Sequence, residues 1–130
     1  MEDKKNDREI ADKILRSIEE AYGFVPTVNR IMSERPDIFV PAVNFSKSIL
    51  ENPNSAFDAK TRNLLAISAA SALGSPYCLE VQMQHAKDNG ASREEVMEAF
   101  LIGSYMSMSR SQSIALRKYE EKYGPTDRTE

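Results

Sequence analysis

A chain of 130 residues is long enough for one compact domain and little else. Its formal charge of −3 withholds the broad positive field that phosphate-binding proteins use, so neither DNA nor RNA is an expected partner. It holds one cysteine, Cys78, one histidine, His85, and no tryptophan, so one chain alone cannot close a disulfide, build a Cys/His zinc site or run a two-thiol redox cycle. No cofactor or metal site is expected.

Hydrophobic residues at 41% beside 28% charged suit a soluble protein with a real core. The N-terminus, Met1-Glu2-Asp3-Lys4-Lys5, lacks the apolar stretch of a secretion signal, and no window approaches the ~18 consecutive apolar residues of a membrane span. The expected setting is the cytoplasm, without membrane contact.

Apolar residues recur at helical spacing along nearly the whole chain, which predicts an all-α fold. The first helix is expected from about Asp7 to Tyr22, with Ile10, Ile14, Leu15 and Ile18 on one stripe and Gly23 as its stop. Phe24-Val25-Pro26 turns into a short helix near Thr27 to Ser33 that carries Val28, Ile31 and Met32. Pro36 suits the first turn of a third helix reaching about Glu51, in which Pro41 is expected to kink the helix or delay its onset.

Asp58 is placed to cap a fourth helix from about Ala59 to Leu73, ended by Gly74. Its small residues, among them Ala66, Ser68, Ala69 and Ala70, allow a neighbouring helix to approach closely. Ser75-Pro76 opens a fifth helix, with Ser75 as N-cap, and Asn89-Gly90 closes it. Ser92-x-x-Glu95 forms a capping box for the sixth, whose expected buried stripe is Val96, Met97, Phe100 and Leu101. The serines from Ser104 to Ser113 predict a break before a last helix with Ile114, Leu116 and Tyr119, and the tail after Gly124-Pro125 is expected to fray.

Cys78 falls in the first turn of the fifth helix, where unpaired N–H groups and the positive end of the dipole favour negative charge. A small buried apolar role is the competing reading for it. His85 lies two turns further on, roughly 10 Å along the axis, too far to activate that thiol within the helix. It reads as a solvated surface residue. One turn after Cys78 stands Gln82, which hydrogen-bonds but cannot take a proton. The methionines at 83, 97, 106 and 108 read as core or interface filler, and Arg110 among serines as a solvated residue or a holder of an anion or an interface carboxylate.

The run from Lys60 to Glu80, including Ala72-Leu73-Gly74-Ser75-Pro76-Tyr77-Cys78, followed by Gly90-Ala91-Ser92-Arg93-Glu94-Glu95, resembles the core of the carboxymuconolactone decarboxylase / AhpD-like (alkylhydroperoxidase D) family. Gly23-Phe24-Val25-Pro26 before Glu34-Arg35-Pro36 is similar to the upstream part of that domain. The resemblance covers roughly Gly23 to Tyr119. It implies an AhpD-like bundle of six to seven helices, with residues 1–22 as an N-terminal helix, 23–123 as the domain and 124–130 as the tail. It also implies homo-oligomers, commonly trimers or hexamers, with the site near subunit contacts.

In AhpD-like relatives the site is a CxxC pair at a helix start, a His one turn after the second Cys and a Glu on the preceding helix. By position these become Ser75, Cys78, Gln82 and Asn63. Serine cannot form the resolving disulfide, and neither amide transfers protons at neutral pH. The polar remnants Asn63, Gln82 and Ser75 are expected to form a hydrogen-bonded cluster. The resemblance therefore implies either a one-cysteine peroxidase working with an external thiol, or a non-catalytic oligomeric binding protein. A γ-carboxymuconolactone decarboxylase using His85 or a residue of another subunit is the third reading.

Overall fold

The computed structural model describes residues 2–125, so the expected tail from Thr126 onward lies outside the described residues. Among the described residues there are six helices and no strand. The chain divides into two compact units, Met1–Ser55 and Ala56–Glu130.

The first unit holds α1 (Glu2–Tyr22), α2 (Thr27–Met32) and α3 (Pro36–Leu50). Helix α1 begins at Glu2, five residues earlier than its apolar stripe indicated. It ends where expected, with the Gly23 N–H bonded to the Glu19 carbonyl at 2.7 Å and Gly23 in the left-handed region. Ala11, Phe39 and Val40 form the buried centre between α1 and α3, with Ile10, Ile14, Leu15, Met32 and Val43 packed around them. Pro41 lies within α3 and neither ends it nor delays its start at Pro36. The expected apolar residues of α2 divide: Met32 joins the core, whereas Val28 and Ile31 are exposed.

The second unit holds α4 (Ala59–Leu73), α5 (Pro76–Asp88) and α6 (Arg93–Tyr123). The Asp58 carboxylate accepts the Thr61 N–H at 2.7 Å and starts α4 as its sequence indicates. Gly74, in the left-handed conformation, stops it, and the Ser75 N–H returns to the Ala70 carbonyl at 3.0 Å. Ile67, Ala86 and Ala99, one from each helix, make the buried centre, surrounded by Leu64, Leu79, Met83, Ala91, Val96 and Phe100.

Two expectations for the sixth helix need correction. The predicted break is absent: α6 runs unbroken through the serines, and Ser111 donates its hydroxyl to the Ser107 carbonyl at 3.2 Å inside the helix. The buried stripe is also re-centred. Met97 and Leu101 are exposed, while the small residues Ala99 and Gly103 are buried.

The reason lies in the approach of α6 to α4. A Cβ built on Gly103 would overlap the Ser68 carbonyl oxygen, with the Ser68 carbonyl carbon at 2.8 Å and its Cα at 3.1 Å. Only glycine fits there. Gly103→Ala would ordinarily strengthen a helix by roughly 0.5–1 kcal/mol. Here it is expected to cost about 1–3 kcal/mol in net stability through overpacking against backbone. Denaturant unfolding of the two proteins measures the sign.

Candidate functional site

The polar centre of the second unit is built where the start of α4 meets the end of α5. The hairpin turn at Gly74-Ser75 reverses the chain, which brings Asn63, near the beginning of α4, opposite Gln82 on α5. Both are buried, at 6% and 8% exposure. The Asn63 amide donates through Nδ2 to Gln82 Oε1 at 3.0 Å. Its own Oδ1 accepts from Nδ2 of Asn89 at 3.1 Å, and that same Nδ2 donates to the His85 carbonyl at 2.9 Å. The result is a three-amide clasp joining α4 to the C-terminal end of α5.

The clasp corrects one expectation and supplies a residue the sequence did not single out. Asn63 and Gln82 do pair. The third member is Asn89, however, not Ser75, whose side chain makes no cap hydrogen bond although the residue occupies the N-cap position of α5. Asn89 was legible only as a helix stop; its side chain reaches Asn63 because the helix C-cap turns toward α4.

Cys78 is the third residue of α5 and is exposed. That excludes the small-buried-residue reading. Its neighbour one turn later, Gln82, is turned inward and engaged, so the thiol stands outside the clasp. His85 is half-buried on α5, and its carbonyl, which also accepts the Asn89 N–H at 3.0 Å, helps to end the helix. Arg110 and the methionines at 106 and 108 are exposed on α6, whereas Met83 packs in the core. Among the described residues no group of three His, Cys, Asp or Glu side chains is placed to hold a metal ion. No helix of the described chain is long and apolar enough to cross a membrane.

Charge gathers at the edge of this polar centre. Lys60 on the first turn of α4 donates to Glu95 on the first turn of α6 at 2.8 Å. Glu95 also accepts the Ser92 N–H at 2.8 Å, while the Ser92 hydroxyl accepts the Glu95 N–H at 3.1 Å, completing the capping box. The Lys60 ammonium and then the Ser92 N–H hold the Glu95 carboxyl below the usual carboxylate range, and Glu95 in turn raises Lys60. The Thr61 N–H lowers Asp58 in the same way.

Chemically the two halves differ. The clasp uses every amide as donor or acceptor and contains no group that ionises near neutral pH, so it binds helices together and cannot relay a proton. The exposed Cys78 thiol stands on the first turn of α5, away from the clasp, where the leading N–H groups of a helix have no carbonyl partner within it.

Two measurements check these assignments. Asn63→Ala leaves the Gln82 and Asn89 amides without their shared partner and is expected to cost about 1–3 kcal/mol in unfolding free energy. A depressed carboxyl stabilises the fold above its unfolded pKa and loses that effect as pH falls through the folded value. The wild type should therefore exceed Glu95→Gln in denaturant midpoint near neutrality, with the difference vanishing in acid.

The carboxymuconolactone decarboxylase family model matches residues 36–117, more than half of the chain and the whole stretch that holds the clasp and the thiol. Among curated proteins, "Uncharacterized protein 4 in cox locus" of Paracoccus denitrificans is 33% identical over 51 residues, which are 39% of this chain. The chain spans 46% of that relative's length. No solved structure matches it. With all-helical architecture, the helix-start cysteine and a family match of that extent, the chain belongs to the carboxymuconolactone decarboxylase family, AhpD-like.

Proposed function

We propose that the protein is a one-cysteine, thiol-dependent peroxidase in which Cys78 is the nucleophile and an external thiol the reductant. The observation that carries this reading is the exposure of Cys78 on the first turn of α5. There the attacking thiolate meets the positive end of the helix and needs no opening of the core.

The step is written without a second protein cysteine. The Cys78 thiolate attacks the distal oxygen of a hydroperoxide, the O–O bond breaks, and the alcohol leaves after taking a proton from water. Cys78 is then a sulfenic acid. A small thiol condenses with it, releasing water and forming a mixed disulfide. A second thiol attacks that disulfide, returns Cys78 to the reduced state and leaves as the oxidised thiol pair. One peroxide and two thiols become one alcohol, one water and one disulfide. With Gln82 and Asn63 occupied in the clasp, proton transfers in this cycle pass to solvent.

A second reading rests on that clasp. The positions that relay protons in AhpD-like relatives hold a buried amide pair here, which supports a member of the family that binds and assembles without turnover. The two separate cleanly. Peroxide consumption with excess small thiol, lost in Cys78→Ser and kept in Gln82→Ala, is expected for the first reading. Absence of consumption together with no sulfenic-acid labelling of Cys78 would overturn it in favour of the second.

A further inference from the structure

The chain has seven asparagines, and Asn89 alone among them is followed by glycine. In such a pair the backbone nitrogen reaches the preceding side-chain carbonyl with least hindrance, because glycine carries no Cβ to shield it. Asn89 is the C-cap of α5, Gly90 follows at a φ of +83°, and both residues are exposed to water. The pair is placed for reaction, yet both nitrogens that would take part are already engaged.

The nitrogen that would leave is Asn89 Nδ2, which donates to Asn63 Oδ1 at 3.1 Å and to the His85 carbonyl at 2.9 Å. The nitrogen that would attack belongs to Gly90, whose N–H donates to the Lys87 carbonyl at 3.1 Å. The torsion between the two is wrong as well. An imide ring closes only when the Gly90 nitrogen swings alongside Asn89 Cβ, at strongly negative ψ, a region that L residues avoid on steric grounds. Asn89 holds a ψ of 15°, and the Ala91 N–H, bonded to the Ala86 carbonyl at 2.8 Å, ties the turn in that shape.

We propose that Asn89-Gly90 is a self-modification site under the control of the clasp: it converts to aspartate or isoaspartate when the clasp opens, and the Asn63 amide keeps it unreacted while the clasp is shut. In the step, the Gly90 nitrogen gives its proton to water and attacks Asn89 Cγ. The Cγ–Nδ2 bond breaks, and ammonia leaves after taking a proton from water. A water molecule then opens the imide ring, at Cγ to give aspartate or at the main-chain carbonyl to give isoaspartate. One water is consumed and one ammonia released, with no oxidation or reduction. The product cannot remake the clasp as it stood. An ionised carboxylate only accepts, so at position 89 it faces the His85 carbonyl, another acceptor, at the negative end of α5. Isoaspartate adds a carbon to the main chain at the C-cap and undoes the turn that the Gly90 and Ala91 N–H groups close. Conversion therefore loosens the hold of α5 on α4.

The full chain tests this by peptide mass mapping of amide-to-acid conversion during incubation at mildly alkaline pH. Circular dichroism checks the fold, and denaturant titration gives the unfolded fraction. In the guanidinium-unfolded chain Asn89 is expected to convert before the other asparagines, and in the folded wild type more slowly by about tenfold or more. Asn63→Ala removes one of the two acceptors of Nδ2. It should raise the folded-state rate about fivefold beyond what its unfolded fraction accounts for, as the loss of one hydrogen bond implies. Gln82→Ala leaves both acceptors in place and should show no such excess. Asn89→Asp, equivalent to one product, should unfold at lower denaturant than the wild type; this and the wild-type comparison do not depend on the folding of Asn63→Ala. Equal folded and unfolded rates, a folded Asn63→Ala chain whose rate unfolding alone explains, or an Asn89→Asp chain as stable as the wild type would each overturn the proposal.

Discussion

The second unit depends on one close approach, that of Gly103 on α6 to the Ser68 backbone on α4. Dispersion forces fall steeply with distance, so two helices that meet backbone to backbone pack their flanking side chains far more completely than helices held apart by bulk. This contact sets the spacing at which Ile67, Ala86 and Ala99 close together with no side chain of their own larger than isoleucine. The same spacing brings the first turns of α4 and α6 side by side, within reach of the Lys60–Glu95 pair. The small residues of α4 are thus the complement of one glycine.

That approach also explains what the sequence concealed. Helix starts and stops were legible because they are local: Asp58 and Ser92 act on N–H groups three residues away, and Gly74 acts through its own backbone dihedrals. The family, too, was legible, since the run around Cys78 keeps its spacing. The buried face of α6 was misread because hydrophobicity points to Met97 and Leu101, whereas close packing buries Ala99 and Gly103. Size, not polarity, decided which side faced inward. The serines of α6 misled for a related reason: a serine hydroxyl satisfied within the helix does not end it.

The candidate site was half legible. Cys78 and its helix-start address follow from Ser75-Pro76, and the pairing of Asn63 with Gln82 follows from the family spacing. Asn89 did not, because its role depends on where the C-cap of α5 lands in space and no short-range pattern encodes that. The two parts lie at different places along α5: a thiol exposed at its start, and an amide lattice from Gln82 to the C-cap that holds the hairpin shut.

The direction of the hydrogen bonds in that lattice restricts what position 82 can hold. Because Asn89 donates to Asn63 Oδ1, the Asn63 amide is oriented with its N–H toward position 82, which must therefore supply an acceptor. Glutamine does so without charge. An imidazole at 82 would accept that N–H only while neutral, and the protonated form would face a donor with no acceptor. Gln82→His alone would place the imidazole beside a neighbour that resists its protonation. A proton-carrying imidazole at 82 would need a change at Asn63 or Asn89 as well.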